Sequence, residues 1–246
     1  MAVLQLINVS KHFGAIRALS EISFNLHAGE VIGVAGDLGA GKSTLVKVVA
    51  GLLQPSSGMM VLDGEQVRFR DAAEARRHGL ELVPQDLALC DNLSAAANVF
   101  LGRELRWRFG PFDILNHSAM RARAGSLFTE LRSDTRPRDL VRRLSGAQRR
   151  AVAVARTRLA DAKVVVLDEP NAAGGEREAA QTLDLIRQLR DQGAGVLLVS
   201  HQMPDLFAVC DRLLVLRHGR KVTECATAAT TPEQISLFLT GGAHAA

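Results

Sequence analysis

Val31-Ile32-Gly33-Val34-Ala35-Gly36-Asp37-Leu38-Gly39-Ala40-Gly41-Lys42-Ser43-Thr44 runs from a wholly apolar segment into a glycine-rich turn and then into helical pattern. From Gly36 onward it fits the phosphate-loop pattern G-x-x-x-x-G-K-[ST]. Gly36, Gly39 and Gly41, with Ala40 between the last two, let the backbone turn tightly, so that its N–H groups point inward at phosphate oxygens. Lys42 reaches the β- and γ-phosphates, and the Ser43 hydroxyl, followed by Thr44, suits a bound Mg²⁺. The helix that starts beside Lys42 adds the positive end of its dipole. The pattern predicts a buried strand over 31–35, a phosphate cradle and a helix from 42 to about 50.

Such a cradle needs a carboxylate at the end of a neighbouring strand. Lys163-Val164-Val165-Val166-Leu167-Asp168-Glu169-Pro170 supplies one. Four apolar residues read as a buried strand, Asp168 at its carboxyl end can hold Mg²⁺ through water, and Glu169 can accept a proton from an attacking water. Alternation continues around it: strand 163–168, helix 176–191, strand 195–199, helix 203–209. Strand–helix–strand order implies a parallel sheet with right-handed crossovers. A hairpin over 212–216 and 220–224 turns at His218-Gly219, and a last helix over 233–239 starts behind Pro232. Upstream, period-two runs at 3–9 and 21–26 predict an antiparallel β-layer. Further strands are expected at 59–62 and 80–83. From about 86 to 160 the pattern is helical, with helices expected at 94–100, 117–131 and 145–160, so we read this stretch as a helical insertion into an α/β core.

Composition narrows the alternatives. The 246 residues are 47% hydrophobic and 23% charged, which suits one large globular domain and excludes a disordered or low-complexity chain. Met1–Gln5 shows neither a basic start nor an apolar core, and no run approaches a membrane span, so neither a secretory leader nor a transmembrane helix is expected. Cys90, Cys210 and Cys225 are few, odd in number and far apart, as expected of reduced thiols in a cytosolic protein. The formal net charge of +4 is unevenly placed, with 12 Arg against 5 acidic residues between 101 and 150. Such a stripe suits nucleic acid, a solvated face or a partner-docking surface. Because Trp107, Phe109, Phe112 and Phe128 are not interleaved as stacking platforms, no nucleic-acid partner is expected.

With the phosphate loop and the acid pair in place, Leu144-Ser145-Gly146-Ala147-Gln148 before a helix resembles the LSGGQ signature of ABC ATPases. Gln85 in Val83-Pro84-Gln85 is similar to the family's Q-loop glutamine, His201 after Val199-Ser200 to its switch histidine, and Phe13 to the aromatic that stacks on adenine. The resemblance covers about residues 3–240. It is closest to ATPase subunits of bacterial importers of the ribose, xylose and fructose type, through Gln85–Leu93, Asn98–Glu104, His201–Phe207 and Thr240–Gly242.

The family resemblance implies a P-loop NTPase fold, with the helical subdomain at about 86–160 inserted in a single ATPase domain over 1–240 and a short tail at 241–246. It implies ATP and Mg²⁺ as ligands, the metal near Ser43, Gln85 and Asp168. Catalytic roles fall to Glu169, His201 and Gln85, and nucleotide contacts to Phe13, residues 36 and 39–44, and Ser145, Gly146 and Gln148 of an opposing subunit. A head-to-tail homodimer, or a pair with a similar subunit, is implied. So are a transmembrane permease, an indirect solute-binding protein and a cytoplasmic location, peripheral on the inner membrane face. An ATP-binding regulator with weak or no turnover is the alternative. Three departures stand out: Leu38 where relatives usually have Asn, Ala147 for a signature glycine, and Asn171–Gly175 for the family's D-loop. The last predicts a looser segment after Glu169.

Overall fold

Val31–Gly36 is buried along its whole length, as an apolar strand is when other layers cover both faces of its sheet. In the computed structural model, which describes residues 2–109, 112–171 and 175–242, it is the third strand, β3. Before it come β1 (Ala2–Phe13) and β2 (Ile16–His27). After it come α1 (Lys42–Val49), β4 (Ser57–Leu62), β5 (Glu65–Val67), α2 (Ala72–Arg77) and β6 (Leu80–Val83). The middle of the chain contributes α3 (Ala95–Val99), β7 (Arg106–Phe109), β8 (Phe112–Leu115), α4 (His117–Glu130) and α5 (Gly146–Leu159). Then follow β9 (Val164–Asp168), α6 (Glu176–Asp191), β10 (Gly195–Val199), α7 (Met203–Val209), β11 (Arg212–Arg217), β12 (Arg220–Ala226) and α8 (Pro232–Thr240).

Two sheets build the first of two compact units, formed by Met1–Gln85, Ala162–Ala172 and Ile186–Ala246. One has the order β12-β11-β3-β10-β9-β6. Its neighbours are parallel except for β12, which pairs antiparallel with β11. The other, β2-β1-β4-β5, is antiparallel. The expected α/β class, a mainly parallel sheet with an antiparallel layer, is what forms. Inward side chains of both sheets, among them Leu6, Ile22, Ile32, Val34 and Val166, join Leu45, Val46 and Val49 of α1 in one buried cluster. Each such side chain contributes about 1.5–3 kcal/mol when removed from water. The helix that follows the phosphate loop is therefore fixed by the core.

The second unit comprises Asp86–Asp161 and Ala173–Leu185. Its helices α3, α4 and α5 bury Phe100, Leu127, Phe128 and Val152. Asn98, wholly buried, accepts from the Cys90 N–H at 2.8 Å and donates to the carbonyls of Cys90 and Ser94. A purely helical reading of 86–160 is corrected here, because β7 and β8 form an antiparallel hairpin inside it. Leu105–Phe109 and Phe112–Leu115 flank Gly110-Pro111, and proline cannot continue a helix. In the first unit, β5 and α2 were also unexpected. Asp63-Gly64 joins β4 to β5 with both residues at positive φ, and Asp71 caps α2 by accepting from the Glu74 N–H. Among the described residues, no helix is long and apolar enough to cross a membrane, and Cys90, Cys210 and Cys225 are free thiols.

Candidate functional site

The loop between β3 and α1 is shaped by glycines with different tasks. Gly41 has φ +104°, and a Cβ there would meet the Ala18 carbonyl oxygen of β2 at 2.7 Å. Gly36 has no positive φ, but a Cβ would fall 2.8 Å from both the Ala40 Cβ and the Leu216 oxygen. Gly39, at φ +79°, faces open space. The Ala40 N–H closes the turn onto the Asp37 carbonyl at 3.1 Å. The His218-Gly219 turn braces the loop: the Gly219 N–H donates to the Ala40 carbonyl, and the Gly219 carbonyl accepts from the Ser20 N–H. This brace was not expected from the sequence, where His218-Gly219 signals only a hairpin.

Lys42 donates its ammonium to the carbonyls of Gly36 at 2.6 Å and Asp37 at 3.1 Å, both within its own loop. It thereby places a cation over the cradle. Ser43 is exposed, Thr44 half-buried, and Leu38 fully solvated. The Leu38 departure thus changes a side chain that lines nothing.

Register brings the acids and the histidine to one sheet edge. Val199 of β10 lies opposite Val34 of β3 on one side and Asp168 of β9 on the other, while Val83 of β6 lies opposite Leu167. The carboxyl ends of β3, β10, β9 and β6 therefore run together, and ligands bind outside such ends in open α/β sheets. Burial pushes the Asp168 carboxyl above its ordinary range; Glu169 beside it adds to the rise, and Lys42 and Lys47 oppose it. Glu169 adopts a left-handed backbone at φ 49°, which costs a non-glycine residue about 1–2 kcal/mol. Its N–H donates to the Val199 carbonyl, and its carboxylate lies 2.6 Å from His201 Nδ1. Gln85 follows the end of β6 by two residues and is exposed.

Phe13 closes β1, half exposed, with the Lys11 ammonium 5.2 Å from its ring centroid. Ser145 caps α5 in the second unit, and its oxygen accepts from the Gln148 N–H while the Gln148 side chain accepts from the Ser145 N–H. The amide of Gln148 also donates to Asp134. Gly146 opens α5, with Ala147 half-buried next to it. Asn171 is buried, and its amide donates to the Asp205 carboxylate of α7 at 2.8 Å. The segment after Glu169 thus begins on a polar anchor that was not expected; residues 172–174 lie outside the described residues.

These donors suit a nucleotide triphosphate with its metal. A lysine over a backbone cradle fits phosphate oxygens, and a carboxyl destabilised by burial and a neighbouring acid gains from a divalent cation. Ser43 offers a hydroxyl without a partner among the described residues.

Comparison with known proteins follows the same lines. Residues 19–172 match the family model described as ABC transporter. The chain is 40% identical over 240 residues to the fructose import ATP-binding protein FrcA of Rhizobium meliloti, covering 94% of this chain and 91% of that protein. It is 38% identical over 240 residues to a putative ribose/galactose/methyl galactoside import ATP-binding protein 3 of Burkholderia ambifaria, over 98% of this chain. That match covers 46% of the Burkholderia protein, so the chain spans about half the length of such relatives. A nucleotide-free ATP-binding cassette from an ABC transporter superposes with a TM-score of 0.81 at 22% identity, covering 98% of this chain and 96% of that one.

Proposed function

This chain belongs to the ABC transporter family, and we propose that it is an ATP-binding, ATP-hydrolysing subunit that energises sugar import through a separate membrane permease. The observation that carries the catalytic half is the Glu169 carboxylate 2.6 Å from His201 Nδ1, at the carboxyl ends of β9 and β10, where Asp168 also lies and feels the charge of Lys42. Relatives named for import of fructose, ribose and galactose support the sugar class.

ATP enters with Phe13 against adenine and its phosphates over residues 36 and 39–44. Lys42 then exchanges the Gly36 and Asp37 carbonyls for phosphate oxygens. Ser43, Asp168 and Gln85 would hold Mg²⁺, which would supply neutralisation of phosphate charge. Glu169 takes the proton of the attacking water, and His201 orients Glu169 and lies against the γ-phosphate. Ser145, Gly146 and Gln148 of an opposing subunit complete each site; the capping box fixes Ser145 at the positive end of a helix fourteen residues long. Opening and closing of this head-to-tail pair, passed on through Gln85, drives the permease at the inner face of the membrane. A solute-binding protein delivers the sugar, and no nucleic acid takes part. Within the basic middle, the β7–β8 hairpin carries Arg106 and Arg108 next to exposed Trp107, Phe112 and Ile114, a surface suited to the permease.

Replacing Glu169 with Gln is the direct test. The base is lost and the hydrogen-bonding shape kept, so turnover falls about 10²–10⁴-fold while binding of a fluorescent ATP analogue persists. A wild-type Mg-ATPase rate equal to that of the variant, alone and with its membrane partners, refutes hydrolysis and leaves an ATP-binding regulator.

A further inference from the structure

The second unit has a hollow of about 570 Å³ lined by Arg121, Arg136 and Arg138 together with Ser118, Asp139 and Pro137. We propose that it binds a small phosphate monoester, and that the class it fits is a phosphorylated sugar.

The two walls are fixed by the fold. One is the first two turns of α4, bearing Ser118 and Arg121. The other is residues 136–139, tied down by backbone bonds: the Ala96 N–H donates to the Pro137 carbonyl at 3.0 Å and the Ala95 N–H to the Asp139 carbonyl at 2.8 Å. The walls approach each other where Gly125 faces Pro137, since a Cβ at that glycine would lie 3.5 Å from Pro137 Cγ.

Charge is what the hollow lacks a partner for. Elsewhere in the unit Arg123 and Arg158 pair with Glu130 and Arg149 with Asp91, while the exposed Arg132, Arg142 and Arg143 form no ion pair among the described residues and do not line the hollow. Among the described residues, Arg121, Arg136 and Arg138 form no ion pair or side-chain hydrogen bond. Three guanidiniums against the single carboxylate of Asp139 repel one another, and an anion relieves this. Planar guanidiniums match phosphate oxygens in pairs, which makes arginine the residue of choice for such a group.

Volume and polar lining then narrow the ligand. The hollow is broad and open to solvent, wide enough to admit a group larger than a lone phosphate. The Ser118 hydroxyl and the Asp139 carboxylate offer a donor and acceptors suited to ring hydroxyls beside the phosphate. Such a site binds whether or not the chain hydrolyses ATP.

Calorimetric titration with ribose 5-phosphate, the nucleotide loop first saturated with Mg-ADP, tests the proposal. Saturable binding is expected, with free ribose silent and inorganic phosphate weaker. Arg121→Gln/Arg136→Gln lowers the affinity at least about tenfold and leaves ADP binding unchanged. Arg136→Gln/Arg138→Gln, which alters only exposed side chains, gives the same loss and keeps folding out of the question. Binding undiminished in both variants, or no saturable heat with the ester, overturns the proposal. Capture by phosphatidylglycerol vesicles without binding of the soluble ester also overturns it, and assigns the arginines to a lipid headgroup.

Discussion

Alanine at Gly41 and alanine at Gly39 are expected to damage the protein unequally, and the difference measures how tightly the phosphate loop is wedged against β2. Both glycines have positive φ, +104° and +79°, so each substitution carries the left-handed penalty of about 1–2 kcal/mol. Each also lowers the entropy of the unfolded chain by a similar amount, about 0.4–1 kcal/mol, which cancels in the comparison. Only the surroundings differ. The added Cβ at Gly39 meets nothing within 4 Å, whereas at Gly41 it meets the Ala18 carbonyl oxygen at 2.7 Å and Leu19 Cδ2 at 3.0 Å. Leu19 can yield, but the Ala18 oxygen is backbone of a paired strand whose neighbours Arg17 and Leu19 are opposite His12 and Lys11. Forcing a methyl into such a place costs about 1–3 kcal/mol. With a urea slope of about 2 kcal/mol per molar, the Gly41→Ala midpoint lies about 0.5–1.5 M below that of Gly39→Ala. Urea unfolding followed by far-ultraviolet circular dichroism reads this directly. Coincident midpoints would show that β2 and the loop separate freely, and would refute the wedge.

Two further outcomes follow from charge. Burial pulls the Glu30 carboxyl up, but the Arg212 guanidinium and the His27 N–H and ring outweigh it and hold the pKa below its ordinary value. A depressed carboxylate contributes stability above its unfolded pKa and loses it as pH falls through the folded one. The advantage of wild type over Glu30→Gln in urea midpoint is therefore full at about pH 6 and shrinks from about pH 5 to about pH 3; a constant difference would refute it. On the β7–β8 hairpin, Arg106→Glu with Arg108→Glu reverses two mostly solvated charges. Copurification with the permease is expected to drop at least about tenfold; the urea midpoint falls by no more than about 0.5 M, because the reversed charges stand against Asp113 at a solvated site, and undiminished copurification would take the hairpin out of the docking surface.

Much of the scaffold is legible because it rests on local rules. Val31–Ala35 and Val164–Leu167 read as buried strands since continuous apolar runs suit a parallel sheet covered on both faces. Gly36, Gly39 and Gly41 announce the loop since its backbone demands them. Where the reading failed, the signals were present but weak against a long helical background. Arg106-Trp107-Arg108-Phe109 and Phe112-Asp113-Ile114-Leu115 alternate with period two around Gly110-Pro111, and Asp63-Gly64 is a strong hairpin dipeptide. Asp71 with Glu74 had the form of a helix start. Each is only a few residues long, too short to stand out in a window scaled to helices.

The Glu169–His201 pair was illegible for a different reason. Residue 169 follows β9 and residue 201 follows β10, so their meeting depends on how two strands align across 32 positions of sequence. That alignment is set by Val199 opposite Asp168 and by the Glu169 N–H donating to the Val199 carbonyl. Shifting β9 by one residue would exchange the faces of its side chains and carry both acids out of place. Such a slip is resisted by the strand itself. Val164–Leu167 are buried on both faces, but the neighbouring residues Lys163 and Asp168 are polar, so a slip in either direction would draw one of them into the apolar interior. Desolvating either charge without a partner costs several kcal/mol, comparable to the whole stability of a domain of roughly 5–15 kcal/mol. The polar residues that bound β9 therefore do two things: one of them, Asp168, faces the candidate site, and together they fix the register that brings Glu169 to His201.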